Sequence, residues 1–248
     1  MCPRRASNAA RSEPPPSAAA VRSMVGSSVM FAAQRGEAYP GRVHIITPLP
    51  GVFRPRSDTW MLADVVGNLD VLQGADVLEL GTGSGAIAVA AAKGGAGSVT
   101  VVDVSRRALA TAWLNARLNG VRVQPLHGDL FAPVDARRFD IVVSNPPYLP
   151  SDGIPGRGAR RAWEGGRDGR AILERICAGV AAHLRPGGIV LLVHSSVIGV
   201  SRTLDGLEQG GLRADVVMRR RGPTGPLLSE RMPELHEEEI CVVRGRLA

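Results

Sequence analysis

Three cysteines in 248 residues, Cys2, Cys177 and Cys241, are too few and too far apart for a disulfide framework. No CxxC pair exists, so a cysteine zinc site is not indicated either, and a reducing cytoplasm is the expected compartment. His44, His127, His183, His194 and His236 are scattered without ligand spacing, so no metal is expected. No apolar run approaches the ~20 residues that a membrane-spanning helix needs. The stretch 17–33 is rich in small residues and follows arginines, but Arg22 interrupts it and no apolar signal-peptide core forms. Aromatic residues make up only 4%, so the core has to come from Val, Leu, Ile and Ala. Lys93 is the only lysine, which makes the net charge of +7 an arginine charge. The first 22 residues hold +3 of it, in Arg4, Arg5, Arg11 and Arg22 against Glu13. The rest is modest and reads as arginine-rich coding rather than a nucleic-acid footprint.

Residues 1–38 are rich in Ala, Ser, Pro and Arg, with a Pro14-Pro15-Pro16 run, and are expected to be a disordered tail. Met24 and Met30 are alternative starts within it. From 39 to 248 the pattern is that of one domain. Val43–Ile46 reads as a short strand, and Ser57-Asp58 as the cap of a helix carrying Leu62, Val65, Val66 and Leu69. Strands are expected at Asp76–Leu80, Val99–Val102, Phe139–Val143 and Ile189–Val193. Helices are expected at Ala86–Ala92, from the Ser105 cap to Gly120, and from an Asp168 cap through Val180. Strands near Ala214–Met218 and Glu238–Val243, with no clear helix between them, suggest a terminal antiparallel hairpin. The alternation implies an α/β fold: a Rossmann-like, doubly wound, mostly parallel seven-stranded sheet closed by that hairpin. Ligands in such sheets lie at the carboxyl ends of the strands.

The motifs fall at those ends. Gly81-Thr82-Gly83-Ser84-Gly85 follows the strand 76–80 and opens a helix. Glycines are needed where a ligand must touch backbone, because a Cβ blocks approach or forbids positive φ. The loop alone also fits a dinucleotide fingerprint. Asp103 ends the next strand, where its carboxylate can accept both hydroxyls of a ribose. Asp129, in the run His127-Gly128-Asp129-Leu130-Phe131 after a further short strand, is placed to accept an adenine amino group.

Asn145-Pro146-Pro147-Tyr148 is the most specific signal. Two prolines after an apolar strand cannot continue it. They leave a loop that presents carbonyl acceptors and almost no donors, with its backbone fixed. A planar nitrogen with two N–H groups can place them on the Asn145 side-chain oxygen and the Pro146 carbonyl, with Tyr148 flat against the planar group. As the nitrogen attacks an electrophile it gains positive charge, so fixed acceptors bind it more tightly than in the ground state.

These motifs resemble the class I methyltransferases. The tetrad is similar to that of the amino-methylating branch, and the whole most resembles the HemK-type protein methyltransferases, which modify the glutamine of release-factor GGQ loops. Within them the chain resembles the short subfamily without the N-terminal helical bundle; Ala162–Arg170 is similar to that subfamily's segment after its tetrad. The resemblance runs from about Phe53 onward and is strongest from Val77 to Arg170. It implies S-adenosyl-L-methionine as cofactor, with contacts at Thr59, Glu79, Gly81, Gly83, Asp103, Asp129, Leu130 and Asn145. It implies substrate contacts at Asn145, Pro146, Pro147 and Tyr148. It also implies a protein substrate of release-factor type and, as in related short enzymes, a small zinc-ribbon activator subunit. The alternative is a nucleic-acid methyltransferase acting on an adenine or guanine amino group, since the same tetrad serves both. Little length is left for a target-recognition module, which favours protein. A nicotinamide oxidoreductase or an inactive nucleotide-binding module has no use for the tetrad.

Overall fold

The computed structural model describes residues 43–45, 48–151 and 158–248. The tail expected at 1–38 lies outside them. Seven strands, β1 (Asp76–Leu80), β2 (Ser98–Asp103), β3 (Gln124–His127), β4 (Phe139–Ser144), β5 (Leu184–Ser195), β6 (Leu212–Pro223) and β7 (Glu237–Leu247), form one sheet in the order β3-β2-β1-β4-β5-β7-β6. The first five pair in parallel, and β7 inserts between β5 and β6 antiparallel to both. The switch point lies between β1 and β4, where chain order leaves one side of the sheet for the other.

Helices cover both faces. Helices α1 (Ser57–Gly67) and α2 (Ala86–Lys93) bury Met61, Leu62, Val66, Ile87 and Ala91 against Val77, Ile141, Val143 and Leu191. On the opposite face α4 (Ala171–Gly179) and α5 (Val200–Gln209) bury Leu173, Ile176 and Leu207 against Leu78, Val142, Val190 and Leu192. Alternate strand residues feed the two clusters, which is why β4 and β5 are near-continuous apolar runs. Each buried Leu, Ile or Val contributes about 1.5–3 kcal/mol. Helix α3 (Arg106–Leu118) is capped by Ser105, whose side chain accepts the Ala108 amide at 3.3 Å. It lies so close to the glycine loop that a Cβ on Gly85 would stand 2.7 Å from the Ala112 backbone.

Several sequence expectations are corrected. Val43–Ile45 joins no strand, and Ile46 lies outside the described residues. The reason is a long-range bond pair: Asn119 Oδ1 accepts the His44 N–H at 2.9 Å, and Asn119 Nδ2 donates to the His44 carbonyl at 2.7 Å. Ser57 and Asp58 form the first turn of α1 rather than its cap; the cap is Arg56, whose N–H donates to Thr59 Oγ1 at 3.3 Å. Asp168 does not cap α4 either. Its Oδ1 accepts the Arg170 amide in a turn one step earlier, and the helix starts at Ala171. Helix α5 was not expected, although Val200, Leu204 and Leu207 carry its spacing. A six-residue helix, α6 (Pro226–Arg231), stands between β6 and β7 where a plain hairpin was expected. Pro226 at its first position is the start signal that marks it.

Candidate active site

Strand register assembles the site. Leu80 of β1 stands level with Val102 of β2 and Ser144 of β4, so Gly81, Asp103 and Asn145 all leave the sheet at one edge. In the glycine loop, Gly81, Gly83 and Gly85 have φ of +69°, +52° and +79°. At Gly81 an added Cβ would meet nothing within 4 Å, so the backbone faces open space. The loop is held from below by Glu79, which is 1% exposed. One oxygen of Glu79 accepts Thr82 Oγ1 at 2.6 Å and the Ala88 amide at 3.2 Å. Burial pushes the Glu79 carboxyl up to about 8, with the Asp103 charge adding to it.

Asp103 uses one oxygen for the Gly83 amide at 3.1 Å and the other for the Ser105 amide at 2.8 Å. Burial raises its pKa against those bonds and the fields of His127 and Arg161. Asp129 is placed differently from Asp103. It is exposed and carries a two-pronged ion pair to Arg175 of α4, at 2.7 and 3.3 Å. Next to it Leu130 sits at φ +47°, a left-handed conformation unusual for a non-glycine residue.

Asn145–Tyr148 lies on the other side of the switch point and lines a cavity of about 400 Å³ with Phe53, Asp58, Trp163, Leu227 and Glu238. Asn145 Nδ2 donates to Thr59 Oγ1 at 3.1 Å, and the Tyr148 hydroxyl donates to Asp58 Oδ2 at 3.0 Å. Burial, then the Asp58 charge, raises the Tyr148 phenol well above its usual value, so it stays neutral. Among the described residues no hydrogen bond takes up Asn145 Oδ1 or the Pro146 carbonyl. The tetrad backbone is braced by the segment 163–169. Leu149 N–H donates to Trp163 O at 2.9 Å, and Gly165 N–H to Leu149 O at 2.8 Å. A Cβ on Gly165 would collide with the Pro147 carbonyl and one on Gly169 with the Tyr148 carbonyl, so only glycine allows this approach. Behind it Arg170, 1% exposed, donates to Ile198 O, Gly199 O and Thr203 Oγ1 and anchors the segment to the start of α5. Arg231 of α6 bonds Pro150 O at 2.6 Å and Glu164 at 2.7 Å, which ties α6 to the chain that follows the tetrad.

The structure thus brings Thr59, Glu79, Gly81, Gly83, Asp103, Asn145 and Tyr148 to the same end of the sheet, while Asp129 is exposed and engaged with Arg175. Sequence reasoning gave Asp58 and Arg231 no place in the site and read Arg170 as part of a solvated basic loop or a substrate lid, whereas it is buried; the bonds to Tyr148, Pro150 and Ile198 that place these residues span 90, 81 and 28 positions.

A switch-point cleft with a glycine loop, a carboxylate on the second strand and an Asn-Pro-Pro-Tyr loop belongs here to an α/β enzyme that transfers a methyl group from S-adenosylmethionine. The chain belongs to the methyltransferase small domain family, whose model matches residues 45–214. It is 35% identical over 181 residues to a putative protein N5-glutamine methyltransferase of Methanocaldococcus jannaschii, covering 72% of this chain and 90% of that one. It is 42% identical over 154 residues to the release factor glutamine methyltransferase of Gloeobacter violaceus, covering 58% of this chain. The match takes in 54% of that relative, so the chain spans about half of its length. Among solved structures, a chain of the E. cuniculi Mtq2–Trm112 complex, responsible for methylation of the eRF1 translation termination factor, superposes with a TM-score of 0.59. The identity is 23%, with 80% of this chain and 99% of that chain covered, and the likeness is one of fold.

Proposed function

We propose that this enzyme methylates the side-chain amide nitrogen of a glutamine on an exposed loop of a peptide release factor. The observation that carries the reading is the pair of acceptors, Asn145 Oδ1 and the Pro146 carbonyl, which no described residue engages, in a loop whose prolines offer no donors. An amide NH2 has two N–H groups for those two acceptors. The names of the Methanocaldococcus and Gloeobacter relatives support glutamine as the target.

The cofactor fits the residues present. Gly81 and Gly83 offer backbone without side chains, and the Asp103 carboxylate stands at the cleft as acceptor for ribose hydroxyls. Thr59, Glu79, Asp129 and Leu130 complete the proposed set, Glu79 by shaping the loop. Bound S-adenosylmethionine supplies an electrophilic methyl group on a sulfonium. The chain's own residues align the acceptor. Asn145 Oδ1 and Pro146 O hold the two N–H groups, so the nitrogen presents its face to the cofactor side. As the N–C bond would form and the methyl–sulfur bond break, leaving the neutral thioether S-adenosylhomocysteine, the nitrogen would pyramidalise and gain charge; both acceptors would bind it more strongly, and the surplus N–H proton, acidified by that charge, would pass to solvent, so no strong base is needed. Tyr148, neutral and pinned by Asp58, flanks the planar amide.

A small zinc-ribbon activator subunit is proposed as a partner, by analogy with the two-protein E. cuniculi complex. No described helix is long and apolar enough to cross a membrane; a cytoplasmic site of action is part of the proposal. The test is transfer of radiolabelled methyl to purified release factors, rRNA and DNA, assayed separately with and without a zinc-ribbon partner. Label in the release factor, released by protease and mapped to glutamine, supports the reading. Label only in nucleic acid overturns it and establishes the amino-base alternative.

A further inference from the structure

Asn145 and Tyr148 are both held by the first turn of α1, 86 and 90 residues upstream. The hub is Asp58, which is 5% exposed. Its Oδ2 accepts the Tyr148 hydroxyl at 3.0 Å. Its Oδ1 accepts the Thr59 amide at 2.7 Å and the Thr59 hydroxyl at 3.3 Å. Thr59 Oγ1 in turn accepts the Arg56 amide at 3.3 Å and Asn145 Nδ2 at 3.1 Å.

Hydrogen-bond bookkeeping favours one arrangement of this network. A threonine hydroxyl has one proton and two lone pairs. With the proton given to Asp58, Thr59 Oγ1 can only accept from Asn145. The carboxylate is acceptor-only, so its 3.3 Å contact with the hydroxyl is a bond only while the hydroxyl donates; turned toward Asn145, the hydroxyl would leave two oxygens facing each other without a proton. Asn145 must therefore show its NH2 to Thr59 and keep Oδ1 for the cavity. An amide and its flipped form fill the same space, so nothing in the shape of Asn145 alone makes this choice. The helix supports the device: Asp58 lies in the first turn, where the helix dipole favours a negative group.

We infer that Asp58 is a positioning residue for methyl transfer, which sets the orientation of the Asn145 amide through Thr59 and the placement of the Tyr148 ring directly. The inference rests on the proposed reading in taking Asn145 Oδ1 as the acceptor that meets the substrate nitrogen. Without Asp58 the Thr59 hydroxyl is free to donate to Asn145 Oδ1. The amide then flips, and its NH2 faces the N–H groups of the substrate, donor against donor.

The experiment compares Asp58→Ala, Asp58→Asn, Thr59→Val and the double variant Asp58→Ala/Thr59→Val, with kcat, acceptor KM and S-adenosylmethionine Kd measured on each. The acceptor is whichever macromolecule the native enzyme labels. Asp58→Ala is expected to lower kcat about ten- to a hundred-fold, the scale of losing charge-assisted hydrogen bonds from an aligned site, while cofactor Kd changes less than about threefold. Asp58→Asn keeps an acceptor toward Thr59 and an amide toward Tyr148, and should recover most of the lost kcat. The double variant should be little worse than the worse single one, because both act through one amide. Native kcat in Asp58→Ala, full additivity in the double variant, or a loss in Asp58→Asn as deep as in Asp58→Ala overturns the inference. Should Asp58→Ala not fold, the Asp58→Asn and Thr59→Val pair decides, since a flipped amide requires Thr59→Val to be impaired and Asp58→Asn to be active. If the native enzyme labels nucleic acid alone, the glutamine reading fails, and the variants still judge Asp58 on that acceptor.

Discussion

The Gly83 N–H and the Asp103 carboxylate meet at 3.1 Å, so the acid at the end of β2 fastens the glycine loop of β1. With its other oxygen on Ser105, Asp103 links the loop to the start of α3. Removing it takes away the proposed ribose acceptor and loosens the loop together. Asp103→Ala should weaken S-adenosylmethionine binding by about 2–4 kcal/mol in calorimetry. Asp129→Ala should cost about 1 kcal/mol or less, because that side chain is exposed and screened by Arg175. Equal losses in the two variants would contradict the ranking.

Asn145→Ala removes one acceptor aimed at the attacking nitrogen. Turnover should fall about 10²–10³-fold, as when one preorganised oxyanion donor is lost. Cofactor affinity should change far less, because the glycine loop and Asp103 lie on other strands. Calorimetry paired with a methyl-transfer assay checks this; a cofactor affinity that falls in step with turnover refutes the division of labour.

Buried Glu79 and His194 give stability opposite pH slopes. Glu79 rises from 4.5 to about 8, so the folded state holds more protons between those values and stability falls as pH climbs through that window. His194, 0% exposed, is pushed by burial from 6.5 down to about 4, so its contribution is present above 6.5 and lost as pH falls toward 4. The slopes oppose each other from 4.5 to 6.5, and Glu79 acts alone from 6.5 to 8. Glu79→Gln should flatten the decline above pH 6.5 in urea titrations. A decline as steep as in the native chain would show that another group titrates there.

Residues 1–38 are proposed to be dispensable, since they carry much Pro, Ala and Ser and no periodic apolar face. A shortened chain beginning at Arg35 should keep its melting temperature and cofactor affinity. A drop of several degrees would place part of that segment in the core.

Most of the central sheet was legible from residue type. Asp76–Leu80 and Phe139–Ser144 are short apolar runs bounded by turn residues, and Ser105 is a cap followed by a helical pattern. The misreadings occur where one particular side-chain bond, long-range or local, overrides the general preference. His44 finds its partners on Asn119 instead of in a strand, and Thr59 supplies the acceptor that Ser57 or Asp58 was expected to give. Helix α5 was hidden by Gly206 and Thr203 in its middle, residues that disfavour helix until the Arg170–Thr203 bond and Leu207 burial compensate.

The sequence by itself determined the glycine loop, the acid at the end of β2 and the chemistry of Asn145–Tyr148. Each is a property of a few consecutive residues: a missing Cβ, a fixed φ, an absent N–H. Only the tertiary structure decided which end of the Asn145 amide faces the cavity, that Asp58 holds Tyr148, and that Arg231 ties α6 to the Pro150 carbonyl. Those bonds join residues 81 to 90 positions apart. They exist because strand register and helix packing bring distant side chains within about 3 Å, a distance that no local preference encodes.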